Sequence, residues 1–227
     1  SGPAIGMDRT VLNPDGSQPD LDWLHLDAQR IIIAKPAGLL SVPGRGADKQ
    51  DCAWARVAAR HTDALIVHRL DQATSGLLVL ARGEAMQRAL SEAFAQRLVH
   101  KRYEAVVQGL VAADEQEIDL PLIADWPNRP RQMVDRERGK PSLTRLRVLA
   151  RDTAAGTTRV ALEPVTGRSH QLRVHLLAIG HPILGDTLYA PPEASGRAPR
   201  LLLHACALAL PALLGEPALS LQHRPDF

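Results

Sequence analysis

The sequence predicts an α+β fold, a mixed and mainly antiparallel sheet flanked by helices and loops. Three observations carry that prediction. Short β-branched or leucine-rich runs recur along the chain; most are followed by turns and hairpins; and only three segments show a helical repeat or helix-end pattern. A doubly wound sheet needs a helix after nearly every strand.

The elements follow in order. "RIIIAK" (30–35) is a buried strand, because its β-branched run stops at Pro36 and "PAGL" turns the chain. "CAWARVAARH" (52–61) is a short helix, with Asp51 placed to cap it. "GLLVLAR" (76–82) is the next strand. Met86, Leu90, Phe94 and Leu98 then recur every four residues, an amphipathic helix with Glu84, Arg88 and Glu92 facing outward. "KRYEAVVQG" (101–109) is a strand ended by Gly109. "SLTRLRVLAR" and "TTRVALEPV" form a hairpin around "DTAAG", since apolar and polar residues partly alternate. "SHQLRVHLLAIG" (169–180) is a helix with Ser169 as N-cap, Gly180 as its C-terminal glycine and Leu172, Leu176 and Ile179 as its apolar stripe. "LLLHACALAL" (201–210) is a late buried strand, in which His204 is expected as a satisfied core residue.

Composition narrows the function classes. The chain of 227 residues is long enough to bury a sizeable core, and its formal charge of +2 does not by itself mark a nucleic-acid binder. No apolar stretch is long enough for a membrane helix and no secretion leader is evident, so a cytoplasmic location is expected. Cys52 and Cys206 are too few and too far apart for a disulfide framework or a zinc site. Aromatic residues make up 3%, too few for a domain that stacks bases on several rings. Positive charge is clustered locally, in "RLVHKR" (97–102) and in "NRPRQMVDRERGK" (128–140), which holds Arg129, Arg131, Arg136, Arg138 and Lys140. Composition alone reads these as a helix end and a solvated loop; phosphate contact is the functional reading.

One carboxylate stands out. Asp71 lies in "HRLDQATSGLLVLAR" (68–82), on the turn leading into a buried strand. The stretch is not a kinase catalytic loop, because Gly76 occupies the place of the metal-binding asparagine and no D-F-G follows. His170 and His175 are five apart, without the H-E-x-x-H pattern of a zinc helix. No local signal selects a second carboxylate for a glycosidase pair. What remains is a single carboxylate, and a neighbouring guanidinium would favour its charged form. Spacing leaves Asp71 open as a turn cap, an ion-pair partner or a catalyst.

The motifs taken together are more specific. "HRLDQATSGLLVLAR" closely resembles the H-R-L-D-x-x-T-S-G signature of the RluA family of pseudouridine synthases. "KPAGLLSVPG" (35–44) is similar to the family's first motif, "KRYEAVVQG" to its tyrosine-bearing strand, "TGRSHQLRVHLLAIGHPILGD" to its third motif and "LLLHA" to its closing strand. The resemblance runs from about residue 25 to the C-terminus, in the family's order. It implies the pseudouridine synthase catalytic fold over 25–227, with 1–24 as an N-terminal extension too short for an S4 RNA-binding domain. "DLPLIADWPNRPRQ" (119–132) with "GKP" resembles the subgroup that acts on both 23S rRNA and tRNA.

By that resemblance Asp71 is the catalytic aspartate, Tyr103 packs against the target base and helps move the proton at its C5, and Arg173 pairs with Asp71. Arg69 enters the RNA stack beside the extruded nucleotide. Lys35, Arg129, Arg131, Arg168 and His170 are the further RNA-contact candidates, although a strand-end surface charge is an equal reading of Lys35. Tyr189 is expected to serve packing. The implied partner is RNA, the protein is expected to work as a monomer, and the reaction demands neither cofactor nor metal.

Overall fold

The computed structural model describes residues 21–227. The expected extension, 1–24, therefore lies largely outside the described residues. Two compact units divide the chain, one ending at Gln87 and the other comprising Arg88–Phe227.

The first unit contains β1 (Asp22–Leu26), β2 (Arg30–Lys35), α1 (Ala53–Ala58), β3 (Ala64–Ile66) and β4 (Ser75–Arg82). β2 pairs with β1 and β4, and β4 also with β3, all antiparallel. β2 and β4 are thus interior strands, and Ile31–Ile33 and Leu77–Ala81 are buried along their whole length. That is why both read as unbroken apolar runs. The cap of α1 differs from expectation: the Cys52 sulfur accepts the Ala55 N–H at 3.4 Å, whereas Asp51 is held by Arg56 at 3.0 and 2.8 Å. A guanidinium offering two charge-assisted bonds outcompetes a backbone amide for the carboxylate.

α2 (Glu84–Ala95) carries the division between the units. Met86 and Leu90 are buried as their spacing predicts, but Leu98 is exposed and lies beyond the helix. Arg97, at a φ of 59°, ends the regular path, and Val99 takes the buried place instead.

The second unit is built on β5 (His100–Gln108), β6 (Glu115–Asp119), β7 (Leu122–Ala124), β8 (Gln132–Val134), β9 (Leu143–Asp152), β10 (Thr157–Pro164), β11 (Leu203–Leu210) and β12 (Leu219–Gln222). Antiparallel pairing orders six of them β12-β11-β5-β10-β9-β6. The β9–β10 hairpin closes with Asp152 opposite Thr157, where the sequence places it. Residues 128–140, expected as a basic loop, instead supply β8 to the separate β7–β8 hairpin, whose three-residue strands are too short to register as a period-2 pattern.

α3 (Gln171–Ala178) packs on β8, β9 and β10. Its N-cap is His170, in the left-handed region at φ 54°, and not Ser169. Leu172 and Leu176 are buried, Leu176 completely. Among the described residues no helix is long and apolar enough to cross a membrane.

Candidate active site

Asp71 is half-buried on a turn closed by the Thr74 N–H, which donates to the Asp71 carbonyl at 3.0 Å. Both of its neighbours are fastened. The Leu70 N–H donates to the Ser41 hydroxyl at 3.0 Å, and that hydroxyl donates back to the Leu70 carbonyl at 2.7 Å. The Gln72 carbonyl accepts from the Gly38 N–H at 2.8 Å and from Lys35 Nζ at 3.0 Å. The Gln72 side-chain amide returns a bond to the Gly38 carbonyl at 3.0 Å. Further along, His68 Nε2 accepts the Val79 N–H at 2.9 Å. Segment 35–41 is therefore a cradle that fixes the backbone on either side of Asp71, while Arg69 beside it is exposed.

Lys35 corrects the sequence reading. It is 1% exposed, and its ammonium donates to the carbonyls of Pro36 (2.9 Å), Leu39 (2.6 Å) and Gln72 (3.0 Å). An ammonium has three protons, and three carbonyls take them. It is neither a phosphate contact nor a surface charge; it ties the turn after β2 to the Asp71 loop. Directly across from it, Gly76, the second residue of β4, stands at φ 121°, a conformation that strains any residue with a Cβ.

In the second unit, Tyr103 stands half-buried on β5, between Leu162 of β10 and Ala205 of β11. Lys101 points to the same face by strand alternation, and burial pushes its ammonium pKa down.

α3 carries Arg173, which is 4% exposed. Asp186, 1% exposed, accepts from its Nε at 3.0 Å and its Nη2 at 2.7 Å. Asp186 Oδ1 also accepts the N–H groups of Leu188 and Tyr189, at 3.1 and 3.3 Å. This carboxylate sits where Gly185, at φ 77°, lets the chain pass the Arg200 carbonyl; a Cβ there would come within 1.8 Å of that oxygen.

A buried hydrogen-bond chain sets the register of α3. The Gln171 amide donates to the Thr144 hydroxyl at 3.0 Å, and Thr144 Oγ1 lies 2.8 Å from His175 Nδ1. His175 Nε2 lies 2.9 Å from the Leu120 carbonyl. A carbonyl only accepts, so Nε2 carries the proton and Nδ1 accepts from Thr144. Burial lowers the His175 pKa, consistent with this neutral ring.

Tyr189 is the post between α3 and the hairpin. It is buried with Leu122 and Val174, and its hydroxyl accepts the Gln132 N–H at 2.8 Å and is hydrogen-bonded to His170 Nδ1 at 2.5 Å. The guanidiniums of Arg131 and Arg173 lie 5.2 and 5.3 Å from its ring centre. Arg131 is thus half-buried rather than reaching outward, while Arg129 is exposed. Arg168 is partly held, its Nε donating to the Pro141 carbonyl at 3.2 Å. A cavity of about 680 Å³ lies on the same unit's sheet, but Tyr103 and Arg173 do not line it, and its Arg145 is drawn toward Glu117 and Glu163.

The model of the RNA pseudouridylate synthase family matches residues 29–178. That span takes in the Asp71 loop with its cradle, Tyr103 and Arg173. The chain belongs to the RluA family of pseudouridine synthases. It is 48% identical over 211 residues to the dual-specificity RNA pseudouridine synthase RluA of Pasteurella multocida, covering 93% of this chain and 96% of that one. To the protein of the same name in Escherichia coli it is 50% identical, covering 91% and 92%. Among solved structures, human RNA pseudouridylate synthase domain containing 1 is similar at a TM-score of 0.78 and 28% identity, over 92% of this chain and 84% of that one. The fold is accordingly the pseudouridine synthase fold expected from the motifs. The activity is the isomerisation of uridine to pseudouridine within RNA.

Within this family member, three residues of the site were missed by sequence reasoning. Asp186 stands in "GD" after a proline turn, a signal that reads only as a turn. Ser41 looks like any loop serine, and its double bond to Leu70 bridges 29 positions in sequence. Tyr189 was assigned to packing, which its burial supports, yet its hydroxyl also joins two elements.

Proposed function

We propose that the protein modifies one uridine in a tRNA anticodon stem-loop and one in a 23S rRNA loop, with Asp71 as the catalytic carboxylate. The immobilised backbone around Asp71 is the observation that carries this reading: Leu70 and Gln72 are each doubly bonded to segment 35–41, so the half-buried carboxylate between them is pre-positioned. The names of the RluA relatives support the dual specificity.

The chemistry asks for little else. The C1′–N1 bond breaks, the uracil turns, C1′ bonds to C5, and the C5 proton is exchanged for one on N1. No group or electron leaves, so an aimed carboxylate can suffice as nucleophile or base. The reacting atoms lie inside a stacked nucleotide, which has to be extruded first. Exposed Arg69, next to Asp71, is suited to fill the vacated stack. Tyr103 is assigned to the face of the extruded base. Arg173, its plane set by Asp186, is assigned to keep the catalytic carboxylate charged. Arg129, Arg168 and His170 are assigned to RNA contact.

The test is to incubate the protein and its Asp71→Asn variant with unmodified tRNA and 23S rRNA transcripts and to map pseudouridine by carbodiimide-adduct primer extension. One adduct site in each RNA, absent with the variant, is the expected result. Adducts on a single RNA class would remove the dual specificity, and an active variant would remove Asp71 from the chemistry.

A further inference from the structure

The β7–β8 hairpin ends in an aromatic side chain left in solvent. Trp126 is 66% exposed, although tryptophan is the residue with most to gain from burial. The Arg129 guanidinium lies 4.3 Å from its ring centre. The tip that presents this stack is tightly built. The Asp125 N–H donates to the Arg131 carbonyl at 2.9 Å, the Asn128 N–H to the Asp125 carbonyl at 2.9 Å, and the Arg131 N–H to the Asn128 carbonyl at 3.0 Å. At its base the hairpin is held by Leu122 in the buried cluster and by the Gln132–Tyr189–His170 chain.

The charges differ between the two ends of the hairpin. The Asp125 carboxylate accepts from the Asn128 amide at 3.0 Å, and the Asp135 carboxylate accepts the N–H groups of Glu137 and Arg138, both at 3.0 Å. At the tip the one acid, Asp125, is engaged in this turn bond while Arg129 is exposed; at the hairpin's base Asp135 also lies 3.7 Å from the Arg138 guanidinium, and exposed Glu137 stands among exposed Arg136, Arg138 and Lys140. An exposed aromatic plane backed by an exposed guanidinium, with the neighbouring acid engaged in its own turn, is complementary to a nucleobase with its flanking phosphate.

We propose that the β7–β8 tip is a base-stacking platform, on which the ring of Trp126 receives an unpaired nucleobase of the RNA substrate while Arg129 meets the adjoining phosphate. This rests on the stem-loop substrate proposed above and adds to it a contact made away from the reacting uridine. Trp126 is thereby a specificity residue: a loop that cannot splay a base onto it loses affinity, whatever its target uridine. Arg129 holds the ring and shares its charge with the backbone.

The experiment uses anticodon stem-loop RNAs carrying 2-aminopurine at each unpaired position in turn, bound to the otherwise wild-type chain and to Trp126→Ala and Trp126→Phe. One loop position should be quenched on binding, and that quench should disappear with Trp126→Ala and largely return with Trp126→Phe. KM for the unlabelled stem-loop should rise about tenfold in Trp126→Ala, with kcat within about twofold, the range expected for losing one stacked base. Identical quenching and identical KM for Trp126→Ala would overturn the platform while leaving the substrate assignment intact. Quenching that depends on Trp126, with no pseudouridine formed in that RNA, would keep the platform and remove the substrate assignment. A chain that neither binds nor modifies the stem-loop would overturn both.

Discussion

Asp186 holds Arg173 by two near-parallel hydrogen bonds, 3.0 and 2.7 Å long, with both side chains at least 96% out of water. The same carboxylate oxygen that takes Nη2 also takes two backbone N–H groups. The guanidinium is therefore locked in plane and direction by the turn after Gly185. Removing Asp186 leaves a buried cation with part of its neutralising charge gone, a change that costs roughly 3–5 kcal/mol. Asp186→Ala should lose about that much in urea unfolding. Asp186→Asn can keep the turn bonds but not the charge, so it should fold with a smaller loss and form pseudouridine more slowly through kcat. An Asp186→Asn enzyme with unchanged kcat would mean that Asp186 only stabilises.

Lys35 offers a test that separates two readings of one residue. A lysine that meets phosphate contributes about one unit to the slope of log affinity against log salt. A buried lysine bonded to three carbonyls contributes nothing to that slope and much to stability, because hydrogen bonds to a charged donor are worth about 1.5–3 kcal/mol each. Lys35→Met should lower unfolding stability by about 4–5 kcal/mol, the low end of three such bonds, and loosen the Asp71 loop, with kcat falling. The salt slope for RNA binding should stay where it is. A slope reduced by one unit with stability unchanged would restore the phosphate reading.

The contrast between these residues shows what the sequence can carry. β2, β4 and the β9–β10 hairpin were legible because burial on both faces or closure by a short turn writes itself into a local pattern. The helix of Met86 and Leu90 was legible for the same reason, and its end was misplaced because Arg97 breaks the path without a glycine or proline to announce it. The Asp71 motif was legible as a signature, not as a mechanism: nothing within 68–82 says that Ser41, Lys35 and Gly38 hold it. Those are contacts across some thirty positions, and local chemistry is silent about them. Trp126 was passed over because one aromatic in a proline-rich stretch has no period to betray its exposure.

Acid should destabilise the protein in two separate windows. Burial pushes the His204 pKa down from 6.5 to about 4, helped by the neighbouring His223. The unfolded chain binds that proton more readily, so the stability is present above pH 6.5 and is lost as pH falls toward 4, by about 3 kcal/mol in all. Asp27 follows lower down. Burial alone would raise its pKa, but bonds from His25, the backbone of Gln29 and Arg30 and the Arg30 side chain bring it from 3.8 to about 2. Its share, about 2 kcal/mol, is present above pH 4 and is lost between 4 and 2. Urea midpoints measured from pH 7 to 3 should show the first slope, and His204→Gln should flatten it between 6.5 and 4. A wild-type curve flat across that window would refute the assignment.

The chain Gln171–Thr144–His175–Leu120 makes a prediction that depends on one hydroxyl. Thr144 is fully buried, donates to His175 Nδ1 and accepts from the Gln171 amide. Valine has the same shape without the hydroxyl, so Thr144→Val leaves an acceptor and a donor unmet inside the protein. Each such group costs about 1–3 kcal/mol. The Gln171 amide has a second partner in the Leu143 carbonyl at 2.9 Å, so most of the penalty falls on His175. Thr144→Val should therefore lower stability by about 2–3 kcal/mol. Thr144→Ser keeps both bonds and removes only a methyl group, for about 1 kcal/mol. The difference between the two variants isolates the hydroxyl. Because the chain spans β9 and α3 two residues from Arg173, Thr144→Val should also lower kcat while Thr144→Ser keeps it near wild type. Equal losses in the two variants would mean that the methyl packing, and not the hydrogen-bond chain, positions the helix.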